Sequence, residues 1–154
     1  MLRNIEIGSD FYFPPNFITD EKQKLQIYKR MLEFESNSEF DDLKNELLDR
    51  FGKIPITANA VIEYFRIRFY AKKLGLKNFM ILSKKMLIEY DKNNFPPRNI
   101  LNIIISKSKY PVQFDTTNSL KILFQFPENN TVDTTDKIKF ALKIINILSE
   151  EKSE

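Results

Sequence analysis

Four acidic residues on the second predicted helix have a spacing that could carry chemistry. They follow one another at intervals of three, four and three residues: Glu39, Asp42, Glu46 and Asp49. Because a helix repeats about every 3.6 residues, the four side chains share one side of it. A carboxylate-pair hydrolase needs its acids to face each other across a cleft, which one surface cannot provide. The stripe is therefore either a patch for a basic partner or a solvated face with a Glu46–Arg50 ion pair, and spacing alone favours the solvated face.

The amino-acid inventory excludes many catalytic chemistries. The chain has no Cys and no His, which rules out disulfides, thiolate or imidazole metal sites, Cys nucleophiles and Ser-His-Asp triads. Its three glycines, Gly8, Gly52 and Gly75, cannot build a phosphate-binding or dinucleotide-binding loop. We therefore predict no catalytic residue, no metal site and no cofactor.

A basic cluster on the third predicted helix is a second possible site. It comprises four cations close to aromatic side chains: Arg66, Arg68, Lys72 and Lys73. Aromatic rings stack on bases while cations meet phosphate, so the cluster could bind nucleic acid. The simpler interpretation gives the rings to the core and the cations to the helix C-terminus, where they complement its dipole. With 24 basic and 21 acidic residues, a net charge of +3 and a pI near 9.0, nucleic-acid binding is permitted but not indicated.

Length and hydropathy predict one domain outside the membrane. A chain of 154 residues that is 42% hydrophobic can bury the core of one ordinary domain and is too short for two comfortable ones. No apolar run approaches the roughly 20 residues that span a bilayer, and the N-terminus lacks the apolar core of a signal peptide. We expect a soluble, cytoplasmic protein without a membrane partner.

A short strand, an arm and a first helix are predicted at the N-terminus. Residues 2–7 alternate apolar and polar side chains as a strand does. The Pro14-Pro15 pair then favours an extended arm, whose aromatic residues are predicted to hold it onto the domain rather than to form a Pro-rich ligand. Asp20 is the predicted cap of a helix that runs from about Glu21 to Glu35.

The second and third helices have clear local signals at their ends. Ser38 is the predicted cap of the second helix, and Phe51 closes its apolar face. Gly52 supplies the left-handed residue that ends the helix. Pro55 suits the first position of the third helix, which ends at Gly75.

After Gly75 the period of the pattern changes, and strands alternate with helices. The predicted elements are a hairpin (79–82 and 86–90), a helix after Pro96-Pro97, a strand pair (112–114 and 120–126) and a helix over 134–151. The many Ile residues after Pro97 also suit a strand, but length and the leading prolines favour a helix. The order predicts an α+β fold. We expect a small β-sheet of hairpins with about five helices in one compact domain over 1–154: a strand and arm (1–19), three helices (20–75) and a mixed region (76–149).

The stretch ELLDRFGKIP, Glu46 to Pro55, resembles the E-L-x-D-R-F-G-x-x-P signature of the C-terminal domain of bacterial transcription-repair coupling factors. Three further segments resemble that domain: FYFPPNFI its entry into the first helix, KLQIYKRM its Arg-Leu-x-x-Tyr-Lys-Arg segment, and RFYAKKLGLKNF its Ala-x-x-Leu-Gly-Ile stretch. Lys24 stands where the family usually has Arg, and Ile54 where Leu is common. The likeness is specific in the first half of the chain and lies mainly in pattern in the second.

The resemblance implies a regulatory module rather than an enzyme. Family members are ATP-driven DNA translocases that remove stalled RNA polymerase and recruit the excision-repair protein UvrA. Their C-terminal domain folds back on a UvrB-like module and hides its UvrA-binding surface. Carried over by position, Glu46 and Asp49 are the two acids of the signature, with Arg50 and Phe51 behind them, and the resemblance favours an interface that also includes Glu39 and Asp42.

The leading hypothesis is therefore a non-catalytic, autoinhibitory domain that contacts a UvrB-like module of the same parent protein. It reaches UvrA, RNA polymerase and DNA only indirectly, through that parent protein. The alternative is a free-standing nucleic-acid-binding domain that uses the basic cluster. The motor, the polymerase-binding module and the UvrB-like module have no counterpart in this sequence. We thus expect a domain excised from a larger protein, with an independent short protein as the alternative.

Overall fold

The computed structural model describes residues 4–7, 13–129 and 131–152. Its elements are β1 (Asn4–Ile7), α1 (Glu21–Glu33), α2 (Ser38–Phe51), α3 (Ile56–Lys73), β2 (Asn78–Ile81), β3 (Lys85–Tyr90), α4 (Arg98–Lys107), β4 (Val112–Asp115), β5 (Leu120–Gln125) and α5 (Thr134–Lys152). The chain divides into two compact units. We call residues 10–69 the helical unit, and residues 1–9 with 70–154 the sheet unit.

The helical unit is built from α1, α2 and the greater part of α3 around an apolar core. Phe40, Leu43 and Leu47 lie on one face of α2 and are at most 1% exposed. Core residues from the other parts of the unit include Phe13, Ile18, Ile27, Met31, Val61 and Ile62. The arm is held there, since Phe13 is fully buried and its amide donates to the Tyr28 hydroxyl at 2.6 Å. Phe11 and Tyr12 of the predicted arm lie outside the described residues.

The ends of α1 show why its capping residue could be recognised. The carboxylate of Asp20 accepts a hydrogen bond from the Lys22 amide at 2.9 Å, which confirms Asp20 as the cap. The helix ends at Glu33, earlier than predicted, because Phe34 adopts an extended backbone with ψ 139°.

The start of α2 differs from its prediction. Ser38 is the first helical residue rather than the cap, and Asn37 in the cap position makes no side-chain capping bond. The end of α2 is as predicted: Gly52 has φ +84° and its amide donates to the Leu48 carbonyl at 3.0 Å, a left-handed conformation that glycine tolerates. Pro55 also precedes the third helix by one residue instead of being its first residue as predicted. Its carbonyl accepts the first hydrogen bond of α3, from the Asn59 amide.

The sheet unit contains one sheet of five strands in the order β1-β2-β3-β5-β4. The two predicted hairpins are confirmed as the antiparallel pairs β2–β3 and β4–β5. They join through an antiparallel β3–β5 pairing in which Ile88 lies opposite Ile122, and β1 adds a parallel edge next to β2. Residues 2 and 3 of the predicted first strand lie outside the described residues.

Apolar side chains of α4, α5 and the strands form the core of the sheet unit. Its aromatic centre consists of Tyr110, Phe124, Phe126 and Phe140, with the Tyr110 and Phe140 rings 4.7 Å apart and edge to face, a favourable arrangement for aromatic pairs. The segment after Pro97 is a helix, as length and the leading prolines predicted. The α+β class is confirmed, while the boundaries of one regulatory domain over 1–154 stay a prediction.

Candidate protein-interaction site

Glu46 is held by two arginines on the surface of the helical unit. Arg30 of α1 donates from both terminal nitrogens to the two Glu46 carboxylate oxygens, each at 2.9 Å. Arg50, one turn further along α2, donates to Glu46 Oε2 at 3.0 Å. We call Arg30, Glu46 and Arg50 the Glu46 fork. The hydrogen bonds from Arg30 lower the pKa of Glu46 against the opposing effect of partial burial, with Arg50 adding to the lowering.

Glu39 has a structural role at the start of α2. Its carboxylate accepts hydrogen bonds from the amides of Glu35 and Ser36, at 2.7 and 2.9 Å. These bonds lower the pKa of Glu39 because they favour the charged carboxylate. Glu39 thus holds the chain that leads into the helix, and its carboxylate is already engaged within the protein.

Asp42 and Asp49 differ from the other two acids of the stripe. Both side chains are exposed, and neither forms a hydrogen bond or ion pair with any of the residues that the structure describes. They lie seven residues apart on α2, two helical turns, so their carboxylates are on the same outward face. Leu48, beside Asp49, is 51% exposed and adds an apolar side chain to the exposed surface of the helix.

Phe51 is less buried than its apolar stripe predicted. It is half-buried at the edge of the core, with its ring 5.9 Å from that of Phe17. The Arg50 guanidinium lies 5.0 Å from the centre of the Phe51 ring, a distance at which cation and ring attract each other. Arg50 therefore contacts both Glu46 and Phe51, which limits its freedom of movement.

A second ion network lies where α2 meets α3. Arg66 is 8% exposed and donates to Glu63, to the Asp41 carboxylate at 2.9 Å and to the Asn37 side chain at 2.6 Å. Glu63 also accepts from Lys44. We call Asn37, Asp41, Lys44, Glu63 and Arg66 the Arg66 network. Burial opposes the charge of Arg66, but the paired carboxylates outweigh it and raise the pKa of Arg66.

The Arg66 network corrects the interpretation of the basic cluster. The nucleic-acid alternative needs Arg66 to reach phosphate, yet its guanidinium is buried and paired with acids of the same unit. Its position over the Phe40 ring, 5.2 Å from the centroid, fixes it further. The predicted cluster thus loses Arg66, one of its two arginines. Its other three cations are exposed: Arg68, Lys72 and Lys73.

Within residues 4–7, 13–129 and 131–152, acidic side chains nowhere gather into a group able to hold a metal ion. No helix in the same ranges has the length and apolar character to cross a bilayer.

Sequence reasoning missed Arg30 as a member of the site. Arg30 lies sixteen residues before Glu46, and nothing in the local pattern of α1 sets it apart from Lys29. The predicted Glu46–Arg50 pair is present. The signal that could have indicated Arg30 is a cation on the polar side of α1, which becomes informative only once α1 is placed beside α2.

By fold, the chain is an α+β domain with charged networks on both sides of its second helix. A family model described as the TRCF domain matches residues 7–101. This match covers more than half of the chain, and the chain belongs to that family.

Relatives named transcription-repair-coupling factor match most of the chain. The Escherichia coli protein is 29% identical over 128 residues, which cover 82% of the chain and 11% of that protein. The Staphylococcus aureus protein is 26% identical over 149 residues, 92% of the chain and 12% of that protein. The chain thus spans about a ninth of the length of these relatives.

A solved structure has the same fold. The crystal structure of the C-terminal domain of a transcription-repair coupling factor superposes with a TM-score of 0.74, covering 96% of this chain and 94% of that one at 18% identity. This agreement confirms the α+β fold.

Proposed function

We propose that this chain is a non-catalytic, autoinhibitory domain of a transcription-repair coupling factor. It binds the UvrB-like module of the same protein and covers the surface that UvrA would contact. Through that contact it restrains DNA translocation and transcription-coupled excision repair. The observation that carries the proposal is the exposure of the Asp42 and Asp49 carboxylates, which pair with no described residue, on the helix that bears the family signature.

Unpaired surface carboxylates suit a docking surface because no internal ion pair has to break when a partner binds. Glu39 and Glu46 already accept hydrogen bonds within the chain, so a partner would gain less by contacting them. Asp42 and Asp49 are exposed, and a basic partner surface can pair with both of them. The exposed Leu48 side chain provides apolar contact beside these charges.

The Glu46 fork contributes orientation to the proposed interface. Two arginines surround one carboxylate, so the fork carries a net positive charge beside the two exposed aspartates. A partner surface that fits α2 therefore has basic groups opposite Asp42 and Asp49, and acceptor groups opposite Arg50. This pattern gives the contact a preferred direction, since a reversed partner would place like charges together.

The nucleic-acid alternative has weaker support. A surface that holds single strands combines cations with accessible stacking rings, and Arg66 is committed to Glu63 and Asp41. Its remaining cations would give salt-sensitive, sequence-independent attraction of the kind that many basic surfaces show.

The proposal is tested by measuring binding between this chain and the separately produced UvrB-like module of its parent protein by titration calorimetry. Asp49→Lys should weaken binding at least tenfold, about 1.4 kcal/mol, because it places like charges together at the interface. The matched control is Glu128→Lys, which makes the same change of charge at an exposed loop position. This variant should bind the module as the wild type does. Equal weakening by both variants, or by neither, would contradict the proposed surface.

A further inference from the structure

The sheet unit carries an open groove between α4 and α5. Its volume is about 730 Å³, within the range of sites that bind ligands. Its apolar floor is formed by Ile100 and Ile103 of α4 and by Leu142 and Ile147 of α5. Ile100 is buried, whereas Ile103, Leu142 and Ile147 remain partly exposed. The groove therefore keeps aliphatic surface in water that a partner could cover at a gain in free energy.

Three lysines surround this floor and give it a positive rim. Lys107 lies at the end of α4, and Lys139 and Lys143 lie one turn apart on α5. The Lys143 ammonium donates to the Lys107 carbonyl at 3.2 Å, which fixes its position at the mouth of the groove. Within the described residues, Lys107 and Lys139 form no ion pair. Among the described residues, Glu150 is the one carboxylate of the lining, so the described rim has an excess of positive charge.

We propose that this groove docks an acidic amphipathic helix of a protein partner. The lining of α5 extends from Lys139 to Glu150, which corresponds to about 16 Å, or roughly three turns of a docked helix. Apolar residues at helical spacing on the partner would cover the aliphatic floor, and flanking Asp or Glu residues would meet the lysines. Charge complementarity selects an acidic partner over a basic one.

The chemistry of the lining distinguishes a protein helix from a nucleic acid. Binding of single strands relies on aromatic rings that stack on bases. The described side chains that line the groove are aliphatic, basic, amide-bearing or, at Glu150, acidic, and none of them is aromatic. The phosphates of a nucleic acid could pair with the lysines of the rim, but the aliphatic floor of the groove would then stay exposed to water. The groove lies on other helices than the α2 surface, and the inference does not rest on the proposed function.

The test uses a synthetic helical peptide of about 14 residues, roughly four turns, with a Leu stripe flanked by Glu. A matched peptide keeps the stripe and replaces every Glu by Lys. Fluorescence anisotropy with this chain should show at least tenfold tighter binding of the acidic peptide. Amide chemical-shift changes should map to α4 and α5. Equal binding of the two peptides, or shift changes confined to other elements, would overturn the proposal.

Variants of the rim give a second, independent arm. The double variant Lys107→Glu, Lys139→Glu should weaken binding of the acidic peptide at least tenfold. Its thermal unfolding should be unchanged, because both ammonium groups lack internal partners among the described residues. Lys92→Glu changes an exposed lysine outside the groove and should have no effect. The proposal would also be overturned if a short single-stranded oligonucleotide bound more tightly than the acidic peptide and the same double variant abolished that binding. This result would show a nucleic-acid site instead.

Discussion

The two sides of α2 carry ion networks of similar chemistry but of very different exposure. Arg66 and Glu63 have side chains only 9% and 11% exposed, whereas Arg30 and Arg50 of the Glu46 fork are 43% and 44% exposed. A buried ion pair leaves an uncompensated charge when one partner is removed, whereas an exposed pair is relieved by water. The Arg66 network therefore contributes to the stability of the helical unit. The outward side of α2, opposite this network, stays exposed and is available for a partner.

Of the two ion networks, the buried one should show the larger effect when it is broken. Arg66→Met should cost about 3 kcal/mol of unfolding free energy, the lower end of the range for breaking a buried ion pair, because Glu63 stays buried and keeps Lys44 as its partner. The measurement is chemical denaturation followed by circular dichroism. Arg68→Met is the matched control, since Arg68 is exposed and its loss should change stability by less than about 0.5 kcal/mol. Similar losses of stability in the two variants would contradict a stabilising role for the Arg66 network.

Phe51 lies at the boundary of the core and should show an intermediate effect. Phe51→Ala should cost about 2 kcal/mol, less than the roughly 3–5 kcal/mol typical of a fully buried Phe, because its ring is only half-buried. Phe40→Ala, at a fully buried position of the same helix, should reach the full range. If the two losses were equal in thermal and chemical unfolding, the exposed edge of Phe51 would have no energetic consequence.

The Glu46 fork should give a small, pH-dependent contribution to stability. The pKa of Glu46 is lowered in the folded chain, so its contribution is present above the unfolded pKa of about 4.3 and is lost as pH falls through the folded value. Because the group is partly exposed, its size should stay below about 1 kcal/mol. Wild type should be more stable than Glu46→Gln near neutral pH, and the difference should vanish in acid. A difference that grows as pH falls would contradict the assignment.

The smallest effect on folding is expected at the outward acids. Asp42→Asn and Asp49→Asn should each change the unfolding free energy by less than about 0.5 kcal/mol, because neither carboxylate pairs with a described residue. Thermal unfolding of the single variants provides the measurement. A loss above about 1 kcal/mol would show that these carboxylates have an internal role and would weaken their assignment to an interface.

Local signals were predictable from the sequence, and contacts between distant segments were not. The Asp20 carboxylate accepts from the Lys22 amide, and the Gly52 amide donates to the Leu48 carbonyl. Both contacts are local, so residue type and position were enough to place those ends. Arg66 reaches Asp41 across 25 residues, and the β3–β5 pairing joins two hairpins that each looked complete. Both contacts depend on how the elements pack against one another, and the periodicity of the sequence carries no information about that packing.

The acidic stripe shows the same division within one site. Helical spacing correctly placed Glu39, Asp42, Glu46 and Asp49 on α2, yet it treated the four acids as equivalent. Glu39 is used to hold the entry to the helix, and Glu46 is enclosed by Arg30 and Arg50. Reversing the charge of Glu46 would therefore place a cation between two arginines. Asp42 and Asp49 are the cleaner positions for testing an interface.

The central claim is that the outward acids of α2 hold the domain on the UvrB-like module and so limit UvrA binding. The most direct measurement is the affinity of UvrA for the full-length parent protein without DNA, comparing wild type with the Asp42→Lys, Asp49→Lys double variant. With unchanged melting of this domain, we predict that the double variant binds UvrA at least tenfold more tightly, a shift of about 1.4 kcal/mol. Equal UvrA affinity with equal melting would mean that the two aspartates form only a solvated face, and would contradict the claim.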